Sequence, residues 1–109
     1  MAYSEELAAR VREILEESGP VDERKMFGGL AFMVNGNMCC GITGEDLMLR
    51  LGPETADEVL REPNVRPMDF TGRPMKGYVY VAPPGLKVEA DLRRWVRLAR
   101  DFNETLPPK

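Results

Sequence analysis

Side chains able to carry acid–base, nucleophilic or metal chemistry are scarce in this sequence. Histidine is absent, which removes the commonest general base and the commonest metal ligand. The two thiols, Cys39 and Cys40, fall short of the four ligands of a structural zinc site. Because neighbouring strand residues point to opposite faces, we expect one cysteine in the core and the other partly exposed and inert. A redox or intersubunit role is the alternative.

The carboxylates form no recognisable catalytic pair. Glu45 and Asp46 are typical of a tight turn, and Asp69 lies alone within a predicted strand. Gly28 and Gly29 lack the third glycine and the strand–loop–helix context of a dinucleotide fingerprint. The sequence therefore predicts a protein that is not an enzyme, with no catalytic residues, no cofactor and no metal.

Cationic side chains fall into two groups, of which the first lies near the C-terminus. Arg93, Arg97 and Arg100 share one face of a predicted helix, at i, i+4 and i+7. They could contact phosphate or an acidic partner surface. Alternatively they form a solvated face with local ion pairs, each contributing about 0.2–0.5 kcal/mol. Such pairs would join Glu89–Arg93, Arg97–Asp101 and Arg100–Glu104.

The second group is Arg73 and Lys76 in the turn of a predicted hairpin, beside Tyr78. Arg66 belongs to the same group, and Arg50 could join it. Cations beside an aromatic ring could grip an anionic ligand or a protein groove. The alternative is a hairpin tip that only aids solubility.

Composition favours a single soluble globular domain spanning residues 1–109. The chain is 43% hydrophobic and 30% charged, with a formal charge of −3. That charge opposes non-specific attraction to nucleic-acid phosphates. No apolar stretch approaches the roughly 20 residues that span a bilayer, and the acidic N-terminal residues do not resemble a signal peptide. We therefore expect a cytoplasmic protein without a membrane partner.

Local patterns place these residues on a series of helices and strands. Ser4 caps a helix that Gly19-Pro20 stop, and Asn35-Gly36 is the strongest two-residue hairpin signal. Pro67 favours a sheet edge for its strand. The predicted elements after the first helix are strands 26–34, 38–43 and 47–51, a short helix from Pro53, strands 65–70 and 77–82, and a helix 88–104. The order α-β-β-β-α-β-β-α indicates an α+β fold with two layers, a single antiparallel five-stranded sheet and helices on one face.

The run Met26-Phe27-Gly28-Gly29 opens the first predicted strand. Adjacent glycines within an apolar strand indicate a bulge, a bend or a close approach of another backbone. An ordinary kink near a sheet edge is the alternative.

The seven methionines suggest core packing for most of them, and an adaptable surface on the sheet face that the helices leave uncovered for the others. Phe32, Met33 and Met48, with Phe27, would form an apolar patch there. Such a patch suits a homodimer or a partner protein.

Three blocks of the chain resemble the N-terminal domain of the TfoX/Sxy family. They are Met26-Phe27-Gly28-Gly29, the strand 44–51, and the hairpin containing 68–70 and 77–81 with the tryptophan-bearing helix that follows. The resemblance implies a two-layer fold similar to that of secretion chaperones. It also implies a regulatory role related to natural competence, without established catalytic residues. Competence regulators of the family carry a second, C-terminal domain that these residues do not include, so we expect a stand-alone first domain.

Together these observations predict a non-catalytic interaction and regulatory module that acts as a homodimer and binds an unidentified protein. The alternative is a nucleic-acid-associated transcriptional regulator that contacts phosphates through the arginines of the last helix.

Overall fold

The computed structural model describes residues 3–26, 28–70 and 73–108. Three helices and six strands follow one another with a short 3₁₀ turn, Pro83–Gly85, before the last helix. The helices are α1 (Glu5–Glu16), α2 (Pro53–Val59) and α3 (Glu89–Glu104); the strands are β1 (Asp22–Met26), β2 (Gly29–Val34), β3 (Asn37–Thr43), β4 (Asp46–Arg50), β5 (Val65–Phe70) and β6 (Arg73–Val81). None of the helices in these ranges is long and apolar enough to cross a membrane.

The strands form one antiparallel sheet in the order β1-β2-β3-β4-β6-β5. Helix α3 packs on β3 and β4, α2 packs on β6, and α1 packs against α3. The predicted α+β class and antiparallel sheet are confirmed, and β5, which contains Pro67, lies at the predicted edge. The predicted count of five strands is wrong, because the sheet has six.

The additional strand arises where one strand was predicted over residues 26–34. The chain reverses at Gly28, whose φ is +71°, so that Met26 pairs with Gly29 across a tight hairpin. Gly29 lies against β3, where a Cβ atom would be 2.0 Å from the carbonyl oxygen of Ile42. The predicted bend is thus at Gly28, and the predicted close backbone approach is at Gly29. Phe27 and the side chain of Met26 lie outside the described residues.

Two local signals place their elements as predicted. The Ser4 side chain accepts a hydrogen bond from the Leu7 backbone N–H at 3.2 Å, which caps α1. Asn35 and Gly36 have φ values of +55° and +81°, the positive pair that a type I′ turn requires.

The core lies between the helices and one face of the sheet. Helix α3 contributes Leu92, Trp95, Val96 and Ala99, all buried at the predicted helical spacing. The sheet contributes alternate residues of its strands, and Phe32 of β2 is 0% exposed within this cluster. We call the opposite side of the sheet, which carries Met33, Met48 and Tyr80, the open face.

The two cysteines do not divide between core and surface as predicted. Phe32 pairs with Cys40 and Met33 with Met38, which leaves Cys39 without a partner in a β-bulge. Both thiols are 0% exposed and belong to the core cluster. The expectation that one would be partly exposed is therefore wrong, because the extra residue breaks the strict alternation of the strand.

Candidate functional site

The arginines of α3 are held mainly by other parts of the chain. Arg93 donates two hydrogen bonds to Glu17 of α1's C-terminal end, at 2.7 and 2.8 Å, and one to Glu89 at 3.0 Å. The hydrogen bonds from Arg93 lower the pKa of Glu17. The predicted Glu89–Arg93 pair is confirmed, but its arginine is shared with a residue 76 positions away.

Arg100 donates hydrogen bonds to backbone carbonyl groups at the C-terminal end of α1. Its guanidinium donates to the carbonyl oxygens of Leu15, in the last turn of α1, and of Ser18, just beyond the helix, at 3.4 and 3.2 Å. The Leu15 carbonyl also accepts from the Ser18 backbone N–H at 3.1 Å. The predicted pairs of Arg97 with Asp101 and of Arg100 with Glu104 do not form.

Of the three predicted stripe arginines, Arg97 alone makes no hydrogen bond or ion pair with the part of the chain that the structure describes. Arg94, on the neighbouring face of α3, pairs with Glu62 at 2.8 and 2.6 Å and lies over the Trp95 ring. The intramolecular interpretation of the arginines fits this geometry better than a phosphate-binding stripe. Nucleic-acid contact through α3 stays a prediction.

The apolar patch predicted on the second sheet face is smaller than expected. Phe32 belongs to the core on the helix side, because it neighbours Met33 along a strand and must point to the other face. Met48 is 3% exposed, with its methyl group against Gly41 of β3. Met33 is half-buried. Among the described residues, Val88 is the exposed large hydrophobic side chain, and it lies at the start of α3.

Polar and aromatic side chains contribute much of the open face. Arg66 of β5 pairs with Asp46 of β4 at 2.6 Å, and its guanidinium lies 4.6 Å from the ring centre of Tyr80. This cluster bridges three neighbouring strands, β4, β6 and β5. Tyrosine, arginine and methionine are residue types enriched at protein interfaces.

Both edges of the sheet carry features that discourage strand addition. β1 presents the exposed charged residues Asp22, Glu23, Arg24 and Lys25, and β5 contains Pro67 beside a register shift. Charged residues, proline and irregular pairing protect edges from further pairing. The open face is therefore better suited than either edge to receive a partner.

A concavity of about 200 Å³ lies where β4 ends and α2 begins, lined in part by Arg50, Lys76, Tyr78 and Phe102. The guanidinium carbon of Arg50 lies 5.8 Å from the ring centres of both Tyr78 and Phe102. Lys76 and Arg50, two residues of the predicted second basic group, thus line the same concavity, whereas Arg66 of that group pairs with Asp46 instead. The side chain of Arg73 lies outside the described residues.

The buried thiols influence one another. A hydrogen bond between them lowers the pKa of Cys39, and the same contact together with burial raises the pKa of Cys40 well above its ordinary value. Complete burial keeps both sulfur atoms from solvent, which fits the inert role expected of at least one of them.

Two buried asparagines, Asn37 and Asn103, are not predicted from the sequence. Asn103 is 2% exposed and donates from Nδ2 to the carbonyl oxygens of Val34 and Asn37, at 3.3 and 3.5 Å. Asn37 donates in turn to the Pro107 carbonyl oxygen at 2.9 Å. These bonds join α3 and the C-terminal tail to the β2–β3 hairpin. A polar residue on the predicted inner side of α3 was the available signal.

A six-stranded antiparallel sheet with helices on one face and an arginine- and tyrosine-bearing open face defines a small α+β domain. A scan against protein families matches residues 13–103 to the TfoX N-terminal domain, which covers most of the chain. The chain belongs to this family. Searches of the curated proteins and of the solved structures gave no match.

Proposed function

We propose that this chain is a non-catalytic regulatory module that forms a homodimer through its open face and binds a protein partner in that form. The family match supports a regulatory role of the competence-related kind that the resemblance implies. The single observation that carries the choice of surface is the Arg66–Asp46–Tyr80 cluster on the open face, opposite the helices.

The open face is chemically suited to a second copy of itself. A twofold interface brings the same patch of both protomers together, so the patch must be self-complementary. Asp22 and Arg24 of β1 share this face with Met33, because Asp22 pairs with Met33 in the sheet register. Asp46 and Arg66 lie at the other end. Carboxylates and guanidiniums of one copy can therefore face opposite charges of the other.

The first test measures the mass in solution of wild-type protein and Met33→Asp by light scattering after gel filtration. Phe32→Asp is unsuitable, because Phe32 is fully buried and its replacement would unfold the core. Val88→Asp is the matched control, since it places the same acid at an exposed apolar position away from the sheet.

We expect wild type and Val88→Asp to have twice the chain mass of 12.3 kDa and Met33→Asp to have the single-chain mass. Circular dichroism must show that Met33→Asp is folded. A folded Met33→Asp that remains dimeric would contradict the proposed surface, and a monomeric wild type would contradict the dimer.

Partner binding is tested by affinity capture with the same three proteins, in parallel from nuclease-treated and untreated extract. A partner that needs the dimer is retained by wild type and by Val88→Asp but lost with Met33→Asp. Retention that disappears on nuclease treatment would instead favour the nucleic-acid alternative.

A further inference from the structure

We propose that the concavity between the end of β4, β6 and α3 binds a small organic phosphate, with the phosphate between Arg50 and Lys76. The proposal does not require the homodimer, but Arg50 and Tyr78 lie on the same face of their strands as Met48 and Tyr80, at its edge beside α3. Two cations unpaired among the described residues, glycine residues at its floor and an adjoining apolar space make the concavity suitable for such a ligand.

Two cations meet at the concavity without a carboxylate between them. Within the described residues, neither Arg50 nor Lys76 forms an ion pair, whereas Arg66, Arg93 and Arg94 each have a carboxylate partner. A phosphate monoester carries a charge of about −1.5 to −2 at pH 7, which matches one arginine and one lysine. The guanidinium can donate two parallel hydrogen bonds to such a group, and the ammonium adds a point charge.

Aromatic rings hold the arginine in place. The guanidinium of Arg50 lies at equal distance, 5.8 Å, from the ring centres of Tyr78 and Phe102. Cation–π contacts with two rings restrict the side chain before any ligand arrives. A pre-positioned guanidinium loses less conformational entropy when it binds an anion.

The floor of the concavity is a crossing of two backbone segments that only small residues permit. The carbonyl oxygen of Gly77 accepts hydrogen bonds from the N–H groups of Leu51 and Gly52, at 2.7 and 3.1 Å. A Cβ atom on Gly52 would lie 2.6 Å from the Phe102 ring. Both glycines have positive φ, at +82° and +88°. Larger residues at these two positions would collide with the Phe102 ring or crowd the Gly52 backbone and so displace the walls of the concavity.

An adjoining concavity of about 310 Å³ offers room for the organic part of the ligand. It shares Gly52, Pro53 and Phe102 with the first and adds Leu51 and Thr55. The first concavity, at about 200 Å³, is smaller than the 300–1,000 Å³ of typical ligand sites, but the two together enter that range. Exposed Glu54 also borders the larger one, so negative charge is favoured only at the Arg50 end.

The test uses phenyl phosphate as the probe, titrated into the full chain in a calorimeter at low salt. We expect saturable binding that is tighter than that of inorganic phosphate, because the ring adds contacts with Phe102 and Pro53. Benzoate, which has a similar ring but a single negative charge, should bind more weakly than phenyl phosphate.

The expected loss on Arg50→Gln is at least about tenfold in affinity, since hydrogen bonds to charged groups are removed. Arg50→Lys, which keeps the charge but loses the planar donor pair, should fall between wild type and Arg50→Gln. Lys76→Gln changes an exposed side chain and provides a second variant in case Arg50→Gln does not fold. Arg97→Gln is the matched control, as it removes one positive charge from an exposed position on α3.

Three results would overturn the proposal. The first is an absence of saturable binding of phenyl phosphate by wild type. The second is an equal loss of affinity in Arg97→Gln and Lys76→Gln, which would indicate only non-specific charge attraction. The third is binding of benzoate as tight as that of phenyl phosphate, which would exclude a site selective for phosphate.

Discussion

Arg93 of α3 donates two hydrogen bonds, of 2.7 and 2.8 Å, to the carboxylate of Glu17 at the end of α1. This pair, together with the contacts from Arg100 to the carbonyls of Leu15 and Ser18, joins α1 to α3. The arginines that could contact a phosphate backbone are thus largely occupied in holding α1 against α3. The consequence for stability is measurable through pH.

Stability should fall in acid as three paired glutamates become protonated. The hydrogen bonds from Arg93, Arg12 and Arg94 lower the pKa of Glu17, Glu23 and Glu62 respectively. A carboxyl group whose pKa is lower in the folded state stabilises that state above its unfolded pKa of about 4.3. The contribution is lost as pH falls through the lower, folded pKa.

We therefore expect the urea midpoint of wild type to decrease as the pH falls from about 5 to about 3. A variant with all three glutamates changed to Gln should be less stable than wild type at pH 7 by a modest amount, since the pairs are solvent-exposed. The difference should shrink in acid. Glu104→Gln is the control, and an equal difference at both ends of the pH range would contradict the assignment.

The two glycines of the β1–β2 hairpin should respond differently to alanine. Gly28→Ala places a Cβ in open space but at a φ of +71°, so we expect a loss of about 1–2 kcal/mol. Gly29→Ala places a Cβ 2.0 Å from the Ile42 carbonyl oxygen, which forces β3 away from β2. We expect a loss of at least about 3 kcal/mol, as for severe overpacking. Urea unfolding of the two variants distinguishes strain from steric conflict, and equal losses would contradict the close approach.

A capping residue at the start of α3 should stabilise the protein. Val88 occupies the N-cap with extended φ and ψ of −83° and 129°, but its side chain makes no capping hydrogen bond and is 58% exposed. Val88→Asp should stabilise the protein by about 0.5–2 kcal/mol, because the carboxylate accepts from the first free N–H groups of the helix. Thermal unfolding provides the measurement, with Val88→Ala as the control. A melting temperature no higher than that of Val88→Ala would contradict the cap assignment.

The buried amide of Asn103 should matter more than its position near the end of α3 suggests. Asn103→Ala removes the donor to the carbonyls of Val34 and Asn37 and leaves those buried acceptors without it, at a cost of about 1–3 kcal/mol. Amide hydrogen exchange should increase at the Asn35–Gly36 hairpin. Glu104→Ala, at an exposed neighbouring position, should leave both stability and exchange close to wild type.

The elements that the sequence predicts correctly are those whose signals are local. The Ser4 cap, the Asn35-Gly36 turn and the apolar spacing in α3 each depend on residues within a few positions of one another. The Gly28-Gly29 pair was located correctly as a backbone irregularity. Its outcome, a hairpin with a sixth strand, depended on pairing of the charged residues before it, which carry little strand propensity.

Local sequence patterns do not predict the register between strands or the long-range partners of side chains. The bulge at Cys39 depends on how β3 aligns with β2, and it turned an expected surface thiol into a buried one. Phe32 and Met33 are neighbours on β2 and point to opposite faces, so the predicted patch cannot contain both. Arg93 was assigned a partner one helical turn away, but the structure adds Glu17 from another helix.

The sequence by itself determined the α+β class, the family, the edge position of Pro67 and most element boundaries, because these follow from short-range propensities and periodic apolar residues. Only the tertiary structure decided that Arg50, Lys76 and Phe102 meet at one concavity and that the α3 arginines are used within the chain. Those contacts join residues from separate elements. Their geometry is set by the packing of the sheet against the helices, which no local pattern records.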